Sequence, residues 1–241
     1  MSVALLVAAL LCAVPARAAP CAAQSAGRTA ALVELYTAGR CAGCQPAERW
    51  LANLGRRFAA DRVVPLSLDV DAWDYLGRKD PYIERKISAR ERKLSLLQRT
   101  ALVYTPQVVV QGREFPAWSS DAFDTEIRRI NARPPRARLA LEIRNATPRG
   151  LETVVQAQVL DPAQRGEPVL YLGALENRVD HYVLWEWQGP ILARPDGRFE
   201  ESRTLALLPK ATPRTSGVAA FVQDRQNGEV LQALVLSACS P

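Results

Sequence analysis

The chain has 241 residues, 48% of them hydrophobic and 23% charged, which excludes the disordered and fibrous classes and is enough to bury a substantial core. Its formal net charge is +6, yet the tightest basic clusters, such as Arg56-Arg57 and Arg128-Arg129, are pairs with no interleaved aromatics. A nucleic-acid-binding stripe is denser than that, so no nucleic-acid partner is expected.

Val3 to Val14 is almost wholly apolar, and Ala16-Arg17-Ala18 follows as an A-x-A pattern. Such a run matches the apolar region of an export signal and is too short to span a bilayer. Residues 1–18 are therefore expected to be a signal peptide. Cys12 follows Leu11 and Cys21 follows Pro20, so neither carries the small preceding residue of a lipoprotein site. No membrane anchor is expected after cleavage, and the expected location is periplasmic or secreted.

Strand and helix signals then alternate. Ala30 to Tyr36 reads as a buried strand. It leads through Thr37-Ala38-Gly39-Arg40 into Cys41-Ala42-Gly43-Cys44. Ala47, Leu51, Leu54 and Phe58 recur at helical spacing, so a helix is predicted from near the cysteines to about Ala60. Val63 to Val70 reads as a second strand, and a polar and aromatic stretch runs from Asp71 to Tyr82. Ser88 to Ala101 is a charged amphipathic helix. Gln107 to Gln111 is a short strand ended by Gly112. A further helix carries Phe123, Ile127 and Ile130, with Ser119 or Ser120 as its N-cap.

Arg133-Pro134-Pro135-Arg136 reads as a hinge that separates domains. Beyond it lie seven strand signals: 139–144, 153–160, 169–175, 182–187, 203–208, 218–223 and 230–236. The turns Pro148-Arg149-Gly150, Asp196-Gly197 and Asn227-Gly228 fall between them, a pattern that suggests a small β-sandwich. The expected organisation is an α/β unit over 28–132 and a β-rich unit over 137–239.

Cleavage of the signal removes Cys12 and leaves Cys21, Cys41, Cys44 and Cys239. An even count in an exported protein points to disulfides. Pairing Cys41 with Cys44 leaves Cys21 for Cys239 at the other end of the mature chain; two separate thiols are the alternative.

Two cysteines at C-x-x-C spacing on the first turn of a helix have a specific chemistry. The exposed N–H groups and the helix dipole favour an anion, which lowers the first thiol's pKa, and the second thiol reaches back to resolve a mixed disulfide. A strand before the pair and a helix after it is the arrangement of a thioredoxin-like redox site. Zinc needs two further ligands, and His181 stands alone, so no metal is expected. No cofactor is expected either. Thr105-Pro106 before Gln107 to Gln111 has the form of the cis-proline segment that faces the thiols in thioredoxin-like folds, where its backbone pairs with substrate. Glu34, in the strand leading to the cysteines, stands where such enzymes hold a buried acid beneath the second thiol. The alternative for Glu34 is solvent or an arginine partner. Among the acidic and aromatic residues from Asp69 to Asp80, Trp73 and Tyr75 are candidates for the rim of the site and substrate contact, with structural packing as the competing role.

Four segments, VELYTAGRCAGCQPAERWL, LDVDAWDYLGRKDPY, ISARERKL and VYTPQVVVQGRE, resemble successive signatures of secreted bacterial proteins called domain of unknown function 1223. The resemblance is strong over Leu32 to Glu114 and continues weakly to GVAAFVQDRQNGEVLQA. It implies a thioredoxin-like fold with a helical insertion before the cis-proline strand, followed by a β domain. Ala42-Gly43 stands where that family has Ser-Ser, and Gln45-Pro46-Ala47-Glu48 where it has Pro-Pro-Ala-Asp.

The function expected from these residues is thiol–disulfide exchange with protein thiols and disulfides in the periplasm. Cys41 would be the nucleophile, Cys44 the resolver, Pro106 and Thr105 the substrate platform, and Glu34 a proton carrier. The competing reading is a non-catalytic binding module with an inert Cys41–Cys44 bridge. A Cu(I) carrier is the third, disfavoured because Met1 is the only methionine and leaves with the signal.

Overall fold

The computed structural model describes residues 21–39, 41–71, 85–100, 102–160, 166–178, 181–208, 211–237 and 239. The expected signal peptide, Trp73 and Tyr75 lie outside the described residues.

The first strand, β1 (Cys21–Gln24), precedes β2 (Ala31–Thr37), whose sequence ALVELYT is buried along its whole length. Burial on both sides explains why its apolar residues run on instead of alternating. Helix α1 (Cys44–Arg57) buries Ala47, Leu51 and Leu54 and carries Arg56 and Arg57 in its last turn, where cations suit the dipole. Strand β3 (Val63–Asp69) follows, then α2 (Arg85–Leu97), β4 (Gln107–Val110) and β5 (Arg113–Glu114). The β4–β5 turn passes through Gly112 at φ +79°, where a Cβ would run into the Gly228 carbonyl. In α3 (Asp121–Asn131), the Ser120 hydroxyl accepts the Ala122 N–H at 3.3 Å as the N-cap, and Asp121 and Asp124 sit in the first turn.

The rest is β-structure: β6 (Ala137–Thr147), β7 (Gly150–Val159), β8 (Pro168–Arg178), β9 (His181–Leu192), β10 (Arg198–Ala206), β11 (Ser216–Asp224) and β12 (Val230–Ser237). Two sheets result. One has four strands in the order β1-β6-β7-β10, and the other has eight in the order β12-β11-β8-β9-β3-β2-β4-β5. The chain is thus mostly β-sheet with three α-helices among the described residues.

The eight-stranded sheet takes strands from both sides of the Pro-rich stretch 133–136. β2 runs parallel to β3 from Ala31↔Val63 to Thr37↔Asp69 and antiparallel to β4. β3 meets β9 in a short parallel pairing at Ser67↔Val183. This seam joins the cysteine-bearing strands to the β-rich strands.

Three apolar clusters follow from the alternation of strand side chains. Ala31, Val33 and Leu35 of β2 face α1 and α3, with Ala47, Leu51, Phe123 and Ile127. Leu32 and Tyr36, on the opposite face, pack with Ile87 and Leu94 of α2 and with Tyr171, Trp187 and Phe221 of β8, β9 and β11. The third cluster lies between the four-stranded sheet and β8, β11 and β12. The two sheets are layered here, and the second layer is continuous with the cysteine-bearing strands.

Candidate functional site

Parallel strands β2 and β3 end at the same edge of the sheet, and β4, antiparallel to β2, begins there. Beyond Thr37 the chain turns: the Cys41 N–H donates to the Ala38 carbonyl at 2.9 Å and the Cys44 N–H to the Cys41 carbonyl at 3.0 Å. Gly43 is the N-cap and Cys44 the first helical residue. The expectation that both cysteines ride the first helical turn is corrected, because Cys41 lies in the turn before it. The two are joined as a disulfide with Cα atoms 5.3 Å apart. Cys41 is partly exposed, while Cys44 is 1% exposed. The first turn of α1 has no acidic residue and no capping side chain, so its free N–H groups are left to nearby negative charge.

Tyr36 pairs with Gln107, which sets Pro106 opposite Thr37 at the cysteine edge. The Thr105–Pro106 peptide is cis, and both residues are half-buried. Just upstream, Leu102, Val103 and Tyr104 are exposed. The Tyr104 hydroxyl donates to Glu114, and burial together with that carboxylate pushes its pKa up to about 12.

Glu34 is brought somewhere else. Strand alternation turns it to the Leu32 and Tyr36 face, away from α1, and it is fully buried. There Arg90 of α2 donates to it from Nε at 2.7 Å and from a terminal nitrogen at 3.0 Å, and the Tyr36 hydroxyl donates at 3.2 Å. The other terminal nitrogen of Arg90 donates to Gln223 at 2.7 Å. The guanidinium also lies over the rings of Phe221, Tyr171 and Trp187, 4.8, 5.0 and 5.3 Å from their centroids. Burial opposes the charge on Arg90, but Glu34 and Tyr36 outweigh it and hold its pKa above the usual range. Burial and then Glu34 push the Tyr36 phenol well up. The proton-carrier role expected of Glu34 is therefore corrected: its carboxylate is taken by a buried ion pair on the wrong face.

Sequence reasoning missed Glu48, one helical turn beyond Cys44, which accepts a hydrogen bond from the Thr37 hydroxyl at 2.7 Å. It also missed Glu91, 4% exposed, with one carboxylate oxygen that has no hydrogen-bond partner. Burial pushes the Glu91 pKa up to about 7, with Arg92 opposing and Asp71 adding to the effect. A raised carboxyl pKa means that the stability it contributes is fully present below about pH 4.5 and is lost as pH rises through about 7. Glu91→Gln is expected to stabilise the protein at pH 8 by about 1–3 kcal/mol and to leave it nearly unchanged at pH 5. Urea unfolding at the two pH values checks this, and equal effects at both would refute it.

Asp71 donates its N–H to the Ser88 hydroxyl at 3.0 Å, and its carboxylate lies 3.7 Å from Arg92. Among the described residues, no group of three His, Cys, Asp or Glu side chains is placed to hold a metal. Cys21 and Cys239 form the second disulfide, with Cα atoms 5.5 Å apart.

The family model described as "Protein of unknown function (DUF1223)" matches residues 32–183. The chain belongs to this family. The matched span opens in β2, includes the cysteine loop, and ends at Val183 in the seam between β3 and β9. No curated protein matches the chain. Among solved structures, HBP35 of Porphyromonas gingivalis matches with a TM-score of 0.66 and 14% identity, over 88% of this chain and 76% of that one. Protein AGR_C_4864 from Agrobacterium tumefaciens matches with a TM-score of 0.62 and 20% identity, over 90% and 98%. At these identities the likeness is one of fold. A domain of the outer membrane lipoprotein Omp28 from Porphyromonas gingivalis matches with a TM-score of 0.34 and 16% identity, over 43% of this chain and 88% of that one. Among the described residues of this DUF1223 protein, no helix is long and apolar enough to cross a membrane.

Proposed function

We propose that the chain is an exported thiol–disulfide exchange protein, with a thioredoxin-like unit over 28–132 and a β-rich unit over 137–239. The observation that carries the reading is the Cys41–Cys44 pair, set between the end of β2 and the open N-terminus of α1, with Thr105 and Pro106 at the same edge. Cys41, the more exposed of the two residues, attacks a protein disulfide, and Cys44 resolves the mixed disulfide. The segment from Leu102 to Pro106, exposed as far as Tyr104 and half-buried at Thr105 and Pro106, is the surface on which a substrate chain would lie. Exchange between sulfurs needs no cofactor. Export is supported by the apolar run with its A-x-A pattern and by two disulfides, which persist in oxidising compartments.

The test is alkylation of the folded protein after mild reduction. Iodoacetamide should modify Cys41 first, with a thiolate pKa clearly below the free-cysteine value of about 8.5. Cys41→Ser should abolish reduction of a protein disulfide, and Cys44→Ser should trap the mixed disulfide. A bridge that yields only after unfolding would establish the inert binding module instead.

A further inference from the structure

Cys44 is 1% exposed, so its thiol has no direct route to bulk water for the proton it must lose before it can attack. The acid expected for that task, Glu34, is paired with Arg90 on the other face of the sheet. A different carboxylate stands on the cysteine side. Glu48 is four residues beyond Cys44 on α1, and at that spacing helical side chains are neighbours, with Cβ atoms about 5–6 Å apart. Side chains on a helix lean toward its N-terminus, which tilts Glu48 back over Cys44. Its Oε1 is held by the hydroxyl of Thr37, the 2% exposed last residue of β2, directly before the cysteine loop. The bond draws the carboxylate in between helix and strand end, where it is half-buried. Among the described residues, no cation pairs with Glu48 and no group bonds its second oxygen.

The geometry points to Glu48 as the proton carrier of Cys44, positioned by Thr37. This rests on the exchange reading above and assigns it a residue. The Cys41 thiolate attacks a substrate disulfide, forms the mixed disulfide and releases one substrate thiolate. The Cys44 thiol gives its proton to Glu48, and its sulfur attacks Cys41. The Cys41–Cys44 bond forms, and the second substrate thiolate leaves. Two electrons pass from the dithiol to the substrate disulfide. Glu48 then returns its proton to solvent, and the departing thiolates take up protons there. In the reverse direction Glu48 supplies the proton as Cys44 leaves.

Cys44 precedes Glu48 by one turn on the same helix, Thr37 of β2 donates to it, and Asp69 of β3, paired with Thr37, brings a second carboxylate to the same face of the sheet. The experiment follows the reduced full mature chain reacting with a disulfide-bonded peptide in stopped flow, from pH 5.5 to 9.5. Glu48→Gln should slow resolution of the mixed disulfide about 10²-fold at pH 6–7, with the deficit closing at high pH as Cys44 ionises unaided. Alkylation of Cys41 by iodoacetamide should be unchanged. Glu48→Asp should retain part of the rate, and Thr37→Val, which keeps the carboxylate but frees it, should slow resolution by a smaller factor. A Glu48→Gln protein with the wild-type rate and pH profile would overturn the assignment while leaving the exchange reading intact. Should the Gln variant not fold, a Thr37→Val protein with the wild-type profile would overturn it equally. Absence of exchange in the wild type would overturn both.

Discussion

Glu34→Ala should lower the unfolding free energy by about 3–5 kcal/mol, the cost of leaving one partner of a buried ion pair uncompensated. The substitution strands Arg90, 6% exposed, with Gln223 still accepting from it and with three aromatic rings around it. The rings attract the cation, but they cannot accept two N–H groups that pointed at a carboxylate. Replacing both charges, as in Glu34→Leu with Arg90→Met, should recover most of the loss, because well-packed apolar residues often match or exceed a buried pair. Urea unfolding followed by tryptophan fluorescence reads the effect, since Trp187 lies against Arg90. A Glu34→Ala protein within 1 kcal/mol of wild type would show that the pair is dispensable.

Removing the bridge between Cys21 and Cys239, by Ser at both positions, should cost about 2–5 kcal/mol. The bond closes a loop across 218 positions, so the unfolded chain loses much conformational freedom when it is present. Its native partners reinforce it: β1 pairs with β6 from Cys21↔Ile143 to Gln24↔Ala140, and the Cys239 N–H donates to the Cys21 sulfur at 3.0 Å. The double-Ser protein should unfold at lower urea than oxidised wild type, and the two should unfold at the same urea when both are in reductant. Equal midpoints for oxidised wild type and variant would remove the bridge from the stability account.

The parts of this molecule that were legible in sequence are local ones. The run AALVELY read as a buried strand, and a serine, 119 or 120, before a 3.6-residue apolar period marked the start of α3. The seven later strands were found, with ends misplaced by a few residues because frayed edges carry little pattern. Long-range partners were not legible. Nothing near Glu34 says that its carboxylate meets Arg90, 56 residues away, and β3–β9 pairing spans the Pro-rich stretch. One signal was available in α2. Ile87, Arg90, Glu91 and Leu94 fall on a single stripe of the helix, so two charges occupied core positions and had to be paired or neutral inside. Glu48 carried its clue in spacing alone, four residues past a cysteine. The hydroxyl that fixes it comes from another element.

The bond between Cys21 and Cys239 turns the polypeptide from 21 to 239 into a ring. A single peptide-bond cut within that span opens the ring without shedding a fragment, so both pieces stay tethered until a reductant parts the sulfurs. Trimming from either tail stalls where the tail joins the loop. Tension applied at the ends passes through the two sulfurs and bypasses the chain between them.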